Sequence, residues 1–266
     1  MTKSTRRKFL LNTLKIVGVS AIVLWFTKNK ILKWIVTSTN NEGLSMGTAP
    51  KIGDEMCILT SKQGEGPFFI TSPIRNNIVE DRTGKLMNFK MQVLSMPDCK
   101  PIENAIVEIW HCVAEGNYSG YPEEMNHDLW KTVMFLNKNS ENIGDNIKPV
   151  TESRFLRGAQ QSDSNGMVEF KTILPGWYEG RAPHIHFKII ANEKEQLTSQ
   201  FYFEPKFCDE IYISTEPYNK YGESPYTIYN DSVIHEDITA VDGLLLKPLK
   251  VGDNLKSIVK VGIQSA

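Results

Sequence analysis

Apolar and polar positions alternate in several short runs of the chain, and turn-forming residues separate these runs. One run, Met167–Ile173, follows the turn sequence Asp163-Ser164-Asn165-Gly166, and another, His184–Ile190, follows Pro183. Such alternation, in segments rich in β-branched and aromatic residues, is typical of half-buried strands. We therefore predict an all-β fold, a β-sandwich or barrel, with strands at Phe89–Leu94, Ala105–Trp110, Met167–Ile173, His184–Ile190, Leu197–Phe203 and Ser257–Ile263.

Residues 122–153 interrupt this pattern. They are polar, rich in Asn and poorly periodic, so we predict a long loop between two strands. Long loops in compact domains are often functional, and we expect this one to form part of the rim of a binding site. Helical periodicity is scarce throughout residues 55–266.

Charge is distributed unevenly along the 266 residues. The chain has 30 Lys and Arg against 31 Asp and Glu, a formal net charge of −1. Residues 1–33 contain eight bases and no acid, so the remainder has 22 bases against 31 acids, a net charge of −9. An acidic body argues against a nucleic-acid partner, because binding to phosphates requires a positive surface. The apolar content of 41% excludes a disordered or collagen-like chain.

The basic head resembles a targeting segment. Arg6-Arg7 precedes Phe9-Leu10, and residues 16–27 form an uncharged stretch of 12 residues, shorter than the ~20 that span a bilayer as a helix. This arrangement is similar to a twin-arginine export signal, and we predict an exported, periplasmic or otherwise extracytoplasmic protein. A second apolar stretch, residues 31–36, leaves open an uncleaved helix that anchors the protein to a membrane. The predicted organisation is a signal or anchor helix at 1–36, a linker at 37–54 and one domain at 55–266.

The four cysteines are Cys57, Cys99, Cys112 and Cys208. No Cys-x-x-Cys spacing occurs, so a zinc or thioredoxin-type site is not expected. An exported protein permits disulfides, and we favour a bridge between Cys57 and Cys99, because each precedes an apparent strand. Cys112 and Cys208 are either paired or free.

Candidate metal ligands are concentrated around one predicted strand. His184 and His186 are two residues apart, so their side chains point to the same face and can converge on one ion. Tyr178 precedes them in a Gly-rich turn, and Tyr118 and Tyr121 lie in a second Gly-rich stretch. Free phenols ionise near pH ~10, so only a strongly Lewis-acidic ion would bind two phenolates at neutral pH. Ferric iron suits these hard ligands better than zinc or copper(I) does.

Further motifs surround these ligands. They are Gln63–Phe69, Pro101–His111 with Gly116–Tyr121, Phe155–Gly158 with Thr172–Tyr178, and Gly180–His186. In this order, over about residues 57–205, they resemble the intradiol ring-cleavage dioxygenases, such as protocatechuate 3,4-dioxygenase and catechol 1,2-dioxygenase, and most of all the exported single-domain branch of that family. The resemblance implies a β-sandwich of the intradiol dioxygenase or transthyretin-like type, with long loops.

The resemblance also implies roles for individual residues. The ligands of Fe(3+) would be Tyr118, Tyr178, His184 and His186, with Tyr178 matching the tyrosine that family enzymes release from the metal when substrate binds. Tyr121 competes with Tyr118 for its role, and we prefer Tyr118. The remaining catalytic candidates are Arg181, which matches an arginine that stabilises negative charge, and Gln200, which matches a glutamine near the open side of the metal.

The implied reaction cleaves a catechol-type ring between its two hydroxyls with O2 and yields a cis,cis-muconate-type diacid, a step in the catabolism of aromatic compounds. Three alternatives are weighed against the residues, and each of them fits less well. A non-catalytic β-sandwich ligand-binding module has no reason to carry all four ligand-type residues. A cupin would carry a Glu shortly after His186, and none occurs up to Ala191. A zinc hydrolase needs a carboxylate base, for which Glu179 is the near candidate.

The other three histidines are expected to lie outside this centre. His111 adjoins Trp110 at a strand end and is interpreted as structural. His127 and His235 lie in polar stretches and are expected to be exposed.

Overall fold

The computed structural model describes residues 59–122, 127–139, 147–234 and 243–264. The predicted signal or anchor at 1–36, the linker at 37–54, Cys57 and His235 all lie outside the described residues. The elements are β1 (Leu86–Met96), β2 (Lys100–Pro101), β3 (Ile106–Trp110), α1 (Leu129–Asn139), β4 (Arg157–Gln161), β5 (Met167–Ile173), β6 (His184–Ala191), β7 (Lys194–Phe203), α2 (Pro205–Ser214), a 3-10 turn (Tyr218–Lys220), β8 (Leu245–Leu246), β9 (Leu249–Val251) and β10 (Asn254–Gln264).

The strands form two five-stranded sheets, which confirms the predicted all-β class. In the first sheet, β1 pairs in parallel with β10 on one side and antiparallel with β2 and β5 on the other, while β9 extends the sheet beyond β10. In the second sheet the strand order is β4-β3-β6-β7-β8. We call these the β1 sheet and the β6 sheet.

The core lies between the two sheets. In β1 the buried side chains recur at every second position from Met87 to Val93, as expected for a strand with one face on the core. Phe89 meets Phe201 of the opposite sheet, with ring centroids 5.7 Å apart. All but one of the residues of β6 are buried, so this strand has protein on both of its faces, and its second face carries the candidate site.

The structure corrects the sequence prediction in two places. The stretch 122–153, predicted as a loop, contains the helix α1, whose first turn is capped by Asp128 accepting hydrogen bonds from the backbone N–H groups of Trp130 and Lys131. Helix α2 was not predicted, although Pro205 stands at its first turn and the Glu204 carboxylate accepts a hydrogen bond from the Phe207 N–H. Both helices are short, and a weak 3.6-residue period over three turns is easily missed.

Two further features concern the cysteines and the helices. Cys99 is disulfide-bonded, whereas Cys112 and Cys208 are free and buried, so the predicted Cys57–Cys99 pairing stays a prediction that these states agree with. Among the described residues, none of the helices has the length and apolar character needed to cross a membrane.

Candidate metal centre

Strand register in the β6 sheet brings distant parts of the sequence into one row. Trp110 of β3 pairs with Arg157 of β4 on one side and with His186 of β6 on the other, and His186 pairs with Gln200 of β7. Because side chains alternate between faces, His184 projects to the same face as His186. This face points away from the sandwich core, which the intervening Ile185 fills from the opposite side.

The two tyrosines come from turns rather than strands. Tyr118 follows a tight turn in which the Val113 N–H donates to the Asn117 carbonyl and the Gly116 N–H donates to the Val113 carbonyl. Gly116 has φ +84°, and a Cβ added there would lie 2.4 Å from the Trp177 carbonyl oxygen and 3.2 Å from the Cβ of Tyr178. The turns that carry Tyr118 and Tyr178 therefore pack directly against each other at this glycine.

Four potential ligand atoms converge around His184. Its Nε2 lies 3.2 Å from the Tyr118 hydroxyl oxygen, 3.4 Å from the Tyr178 hydroxyl oxygen and 3.0 Å from the Nε2 of His186. Ligand atoms about 2.1 Å from a common metal ion lie roughly 3.0–3.4 Å apart, so these separations fit a metal site. All four side chains are buried.

The tautomer of His184 suits metal binding. Its Nδ1 lies 2.6 Å from the Ala182 carbonyl oxygen, which can only accept, so Nδ1 carries the proton and Nε2 presents a lone pair. Burial lowers the pKa of both His184 and His186 well below the ordinary value, with Arg181 and, for His186, also His184 lowering it further. Both imidazoles are therefore neutral, and their Nε2 atoms face each other. A cation is the natural partner for the lone pair on the Nε2 of His184.

The tyrosine hydroxyls are protonated in the absence of metal. Burial, with a contribution from Tyr178, raises the pKa of Tyr118 well above 10.0, and burial raises the pKa of Tyr178 to about 12. A metal ion that binds here must displace both protons, so it must be strongly Lewis-acidic. Within the described parts of the chain no group of three His, Cys, Asp or Glu residues could hold a metal, and the donor set depends on the two tyrosines.

Arg181 connects the tyrosine side of the centre to Gln200. Its Nη1 donates to the Tyr178 hydroxyl oxygen at 3.4 Å, and its Nη2 donates to the Gln200 Oε1. Burial by itself lowers the pKa of Arg181, but the Asp231 carboxylate, together with smaller contributions from Tyr178, Tyr202 and Tyr118, more than offsets this, and the pKa lies above its ordinary value. The guanidinium is therefore a permanent cation beside the Tyr178 oxygen.

The segment 61–69 covers the centre. Its backbone pairs with β7 through the Gln63 N–H and the Thr198 carbonyl at 2.9 Å, and the Gly64 carbonyl accepts from Gln200 Nε2 at 2.9 Å. A Cβ at Gly66, where φ is +78°, would lie 3.3 Å from Cε1 of His186, so the chain runs directly over that imidazole.

An aromatic wall adjoins the tyrosine ligand candidates. Phe68 contacts the rings of Tyr118 and Tyr121 at centroid distances of 5.1 and 4.9 Å. Ile147 belongs to the same cluster, and Phe135 of α1 packs against it. The helix in the supposed loop thus contributes one side chain to the surroundings of the site, and that surface is apolar.

Other sequence candidates lie outside the convergence point. The Tyr121 hydroxyl donates to the Ile147 carbonyl at 2.6 Å, which separates its role from that of Tyr118. His111 is fully buried between the Cys112 carbonyl at 2.8 Å and the Thr172 hydroxyl at 2.6 Å. The prediction that His127 is exposed is wrong: it is half-buried, and its ring stacks on Tyr221 at 3.7 Å.

Two buried residues near the centre were not predicted from the sequence. Arg157 lies under the Tyr118 ring, 5.9 Å from its centroid, and donates to the hydroxyl and carbonyl oxygens of Ser119. Asp231 accepts from Arg181. Arg157 lies within the Phe155–Gly158 motif, but the motif by itself assigned it no role, and Asp231 lies in an Asn-Asp-Ser turn sequence that carries no signal.

Fold and site together define a β-sandwich protein with a two-histidine, two-tyrosine centre, and comparisons with known proteins agree. A family model with the description "Dioxygenase" matches residues 65–220, more than half of the chain. The structure is similar to the intradiol ring-cleavage dioxygenase from Tetranychus urticae, with a TM-score of 0.65, 32% identity, and coverage of 78% of this chain and 95% of that one. The chain belongs to the intradiol ring-cleavage dioxygenase family.

The chain is also similar to more distant relatives. It is 25% identical over 107 residues to chlorocatechol 1,2-dioxygenase of Cupriavidus pinatubonensis, and the aligned region covers 40% of this chain and 39% of that protein. It is 26% identical over 140 residues to catechol 1,2-dioxygenase 1 of Acinetobacter lwoffii, which covers 45% of this chain and 37% of that protein. The chain thus spans about two-fifths of the length of these relatives.

Proposed function

We propose that this protein is an Fe(3+)-dependent, non-haem dioxygenase that cleaves a catechol-type ring between its two hydroxyls with O2, giving a cis,cis-muconate-type diacid. The observation that carries the proposal is the convergence of Tyr118, Tyr178 and His186 on the Nε2 of His184. Family membership supports the reaction class, and the names of the catechol and chlorocatechol relatives support the substrate class.

The choice of ferric iron follows from the donor chemistry. Two phenols with raised pKa values release their protons only to a cation of high charge, and phenolate is a hard ligand that favours Fe(3+) over softer ions. Bound iron would supply a Lewis-acidic template that holds the two oxygens of a catechol and activates its ring toward O2. The residues that would hold it are Tyr118, Tyr178, His184 and His186.

Tyr178 and Arg181 are suited to handling the protons and charge of the substrate. The raised pKa of Tyr178 makes its phenolate a strong base, so its oxygen is suited to accept a proton from a catechol hydroxyl. Arg181 Nη1 lies 3.4 Å from that oxygen and provides a fixed positive charge beside developing negative charge. Gln200 holds the other side of the guanidinium through its Oε1.

The surroundings favour an aromatic diol without a strong charge of its own. The wall next to Tyr118 consists of Phe68, Tyr121, Ile147 and Phe135, and the cation nearest the Tyr178 oxygen, Arg181, is already paired with Asp231. An apolar wall contributes burial of the substrate ring, and the positive charge of Arg181 is already balanced by Asp231.

We also propose that the protein acts outside the cytoplasm. The twin-arginine-like head with Arg6 and Arg7 supports export, and so does the disulfide bond of Cys99, since disulfides persist in oxidising compartments. We further propose that the N-terminal segment attaches the protein to a membrane. No nucleic-acid partner is expected.

The test compares Tyr178→Phe with Tyr121→Phe in iron-loaded protein. Wild type is expected to show a visible phenolate-to-iron charge-transfer band, to take up O2 with catechol and to form a muconate-type product. Tyr178→Phe removes a ligand and a base, so the band shifts and kcat falls by about 10²- to 10⁴-fold. Tyr121→Phe removes a phenol that binds the Ile147 carbonyl instead, so its band stays in place. An iron-loaded wild type without a visible band, or an extradiol product, would refute the proposal.

A further inference from the structure

Asp231 is a buried carboxylate that contacts the guanidinium of the catalytic candidate Arg181. Its side chain is 0% exposed, and both of its oxygens lie 3.1 Å from Arg181 Nε. The two residues are 50 positions apart, and Asp231 belongs to a loop without regular secondary structure. A buried carboxylate is costly unless it is paired and hydrogen-bonded, so this arrangement is a built feature of the fold.

The remaining bonds of Asp231 join its own loop to the backbone beside Arg181. One of its oxygens accepts from the Ala182 N–H at 2.7 Å, and the other accepts from the Val233 N–H at 2.8 Å. The next residue adds to this clasp, since the Ser232 N–H and hydroxyl both donate to the Gly180 carbonyl. The loop therefore grips residues 180–182, which lie between Tyr178 and His184.

Pinning Nε determines where the rest of the guanidinium points. The group is planar and its donors form a rigid fork, so a bond from Nε to Asp231 leaves rotation about the side chain little freedom. The terminal nitrogens are then directed at the other side, where Nη1 meets the Tyr178 hydroxyl and Nη2 meets Gln200 Oε1. Without the carboxylate, a fully buried cation would lose its counter-charge and move toward other acceptors.

We propose that Asp231 is a positioning residue, which holds the guanidinium of Arg181 so that its Nη1 faces the Tyr178 oxygen during turnover. The catalytic part of this proposal rests on the proposed dioxygenase function. The hydrogen bonds of Asp231 go to Arg181 and to backbone N–H groups and not to a ligand candidate, so its effect on the charge beside the Tyr178 oxygen passes through Arg181.

The first test is Asp231→Asn, which keeps the shape of the side chain and removes its charge. Loss of a residue that orients a catalytic group typically costs 10- to 100-fold in activity, so kcat for catechol should fall by about that factor while KM changes less than about 3-fold. The iron content and the resting charge-transfer band should stay at wild-type values, because no ligand is changed.

The matched control is Asp163→Asn. Asp163 also caps a turn, accepting from the N–H groups of Asn165 and Met167, but it lies before β5 and is exposed. This variant should retain wild-type kcat and spectrum. If Asp231→Asn also retains wild-type kcat, or if it loses iron and the resting band together with kcat, the positioning role is refuted, in the second case because the residue then supports the ligands.

A second measurement is independent of iron and of activity. In the full-length metal-free chain, hydrogen exchange of the Arg181 Nε–H is followed by ¹⁵N NMR, with Asp163→Asn as control. The proposal expects this proton to be protected in wild type and control, and to exchange at least about 10-fold faster in Asp231→Asn. Exchange in wild type as fast as in free arginine would overturn the proposal, even if the variant fails to fold. A wild type with protected Nε–H and no ring cleavage would leave the Arg181–Asp231 clasp in place and refute only the dioxygenase function.

Discussion

Burial sets the protonation state of individual side chains around the centre. The pKa of the Cys112 thiol rises to about 12, chiefly through burial, and that of Tyr178 rises to about 12 for the same main reason. The pKa of His111 moves in the opposite direction, to about 4, because burial disfavours its cationic form. Each shift favours the uncharged form, so a metal-free centre holds neutral ligands and depends on the bound ion for its charge.

His111 provides a test of this effect through the pH dependence of stability. Its pKa is about 4 in the folded chain and 6.5 as an ordinary value, so the unfolded state binds more protons between these two pH values. The free energy of unfolding should therefore fall as pH drops from 6.5 to 4, by about 3 kcal/mol from this residue. In His111→Gln this part of the slope should be missing, as measured by urea unfolding at pH 7, 5.5 and 4.

The difference between the two profiles reports His111, because all other groups titrate in both proteins. His127→Gln serves as control: burial also lowers the pKa of His127, but this side chain is only half-buried, so its effect on the slope should be smaller. Parallel profiles for wild type and His111→Gln would contradict the neutral, buried state of His111.

At the scale of elements, the centre depends on how two turns and one strand meet. The strand β6 places His184 and His186, while the turns after β3 and after β5 place Tyr118 and Tyr178. The contact between the turns is Gly116, which has no space for a side chain. The position of one tyrosine relative to the other thus depends on a residue that has no functional group.

Gly116→Ala is expected to separate the two turns. A positive φ costs an L-residue about 1–2 kcal/mol, and the clash of Cβ with the Trp177 carbonyl adds a packing cost of about 1–3 kcal/mol. Gly252→Ala is the matched control, because Gly252 has φ +57° and a Cβ added there would meet nothing within 4 Å. Gly116→Ala should lower the free energy of unfolding by at least about 1 kcal/mol more than the control does, and it alone should shift the charge-transfer band. Equal losses in chemical denaturation would contradict the close packing of the turns.

The alternating pattern was sufficient for most long strands and insufficient elsewhere. The predicted runs in β1, β3, β5, β6, β7 and β10 all fall within or overlap observed strands, because each has a clear apolar face. Strand β4 has the sequence Arg-Gly-Ala-Gln-Gln and no such face, yet it pairs with β3 along its whole length. Its place in the sheet is a consequence of the neighbouring strand, which no local pattern reports.

At the scale of the whole molecule, the apolar core and the candidate metal centre lie on opposite faces of the β6 sheet. The core lies between the sheets, and the centre lies on the outer face of the β6 sheet under segment 61–69. The cysteines differ in state: Cys112 and Cys208 are buried and free, while Cys99 is bonded. Their states can report the compartment in which the chain folded.

The export proposal predicts a difference in thiol count. Full-length protein made in a bacterium with a twin-arginine pathway should be found outside the cytoplasm and, unfolded without reductant, should expose two reactive thiols, Cys112 and Cys208. Replacing both Arg6 and Arg7 by Lys should retain the chain in the reducing cytoplasm, where unfolding exposes all four thiols. Replacing Lys28 and Lys30 by Arg is the control and should change neither location nor count. Export of the Arg6/Arg7 variant, or four thiols in the exported wild type, would count against the proposal.

The sequence alone determined the strands with alternating faces and the pair His184 and His186 on one face. Its motifs also indicated the family and, through it, the candidates Tyr118, Tyr178, Arg181 and Gln200. These are local properties, since side-chain alternation and short motifs depend on neighbours along the chain. Only the tertiary structure decided that Tyr118 rather than Tyr121 approaches His184, and that Asp231 clasps Arg181. Those outcomes depend on strand register and on turns from distant segments packing together, because a buried charge or phenol is paired with a residue that is close in space but distant along the chain.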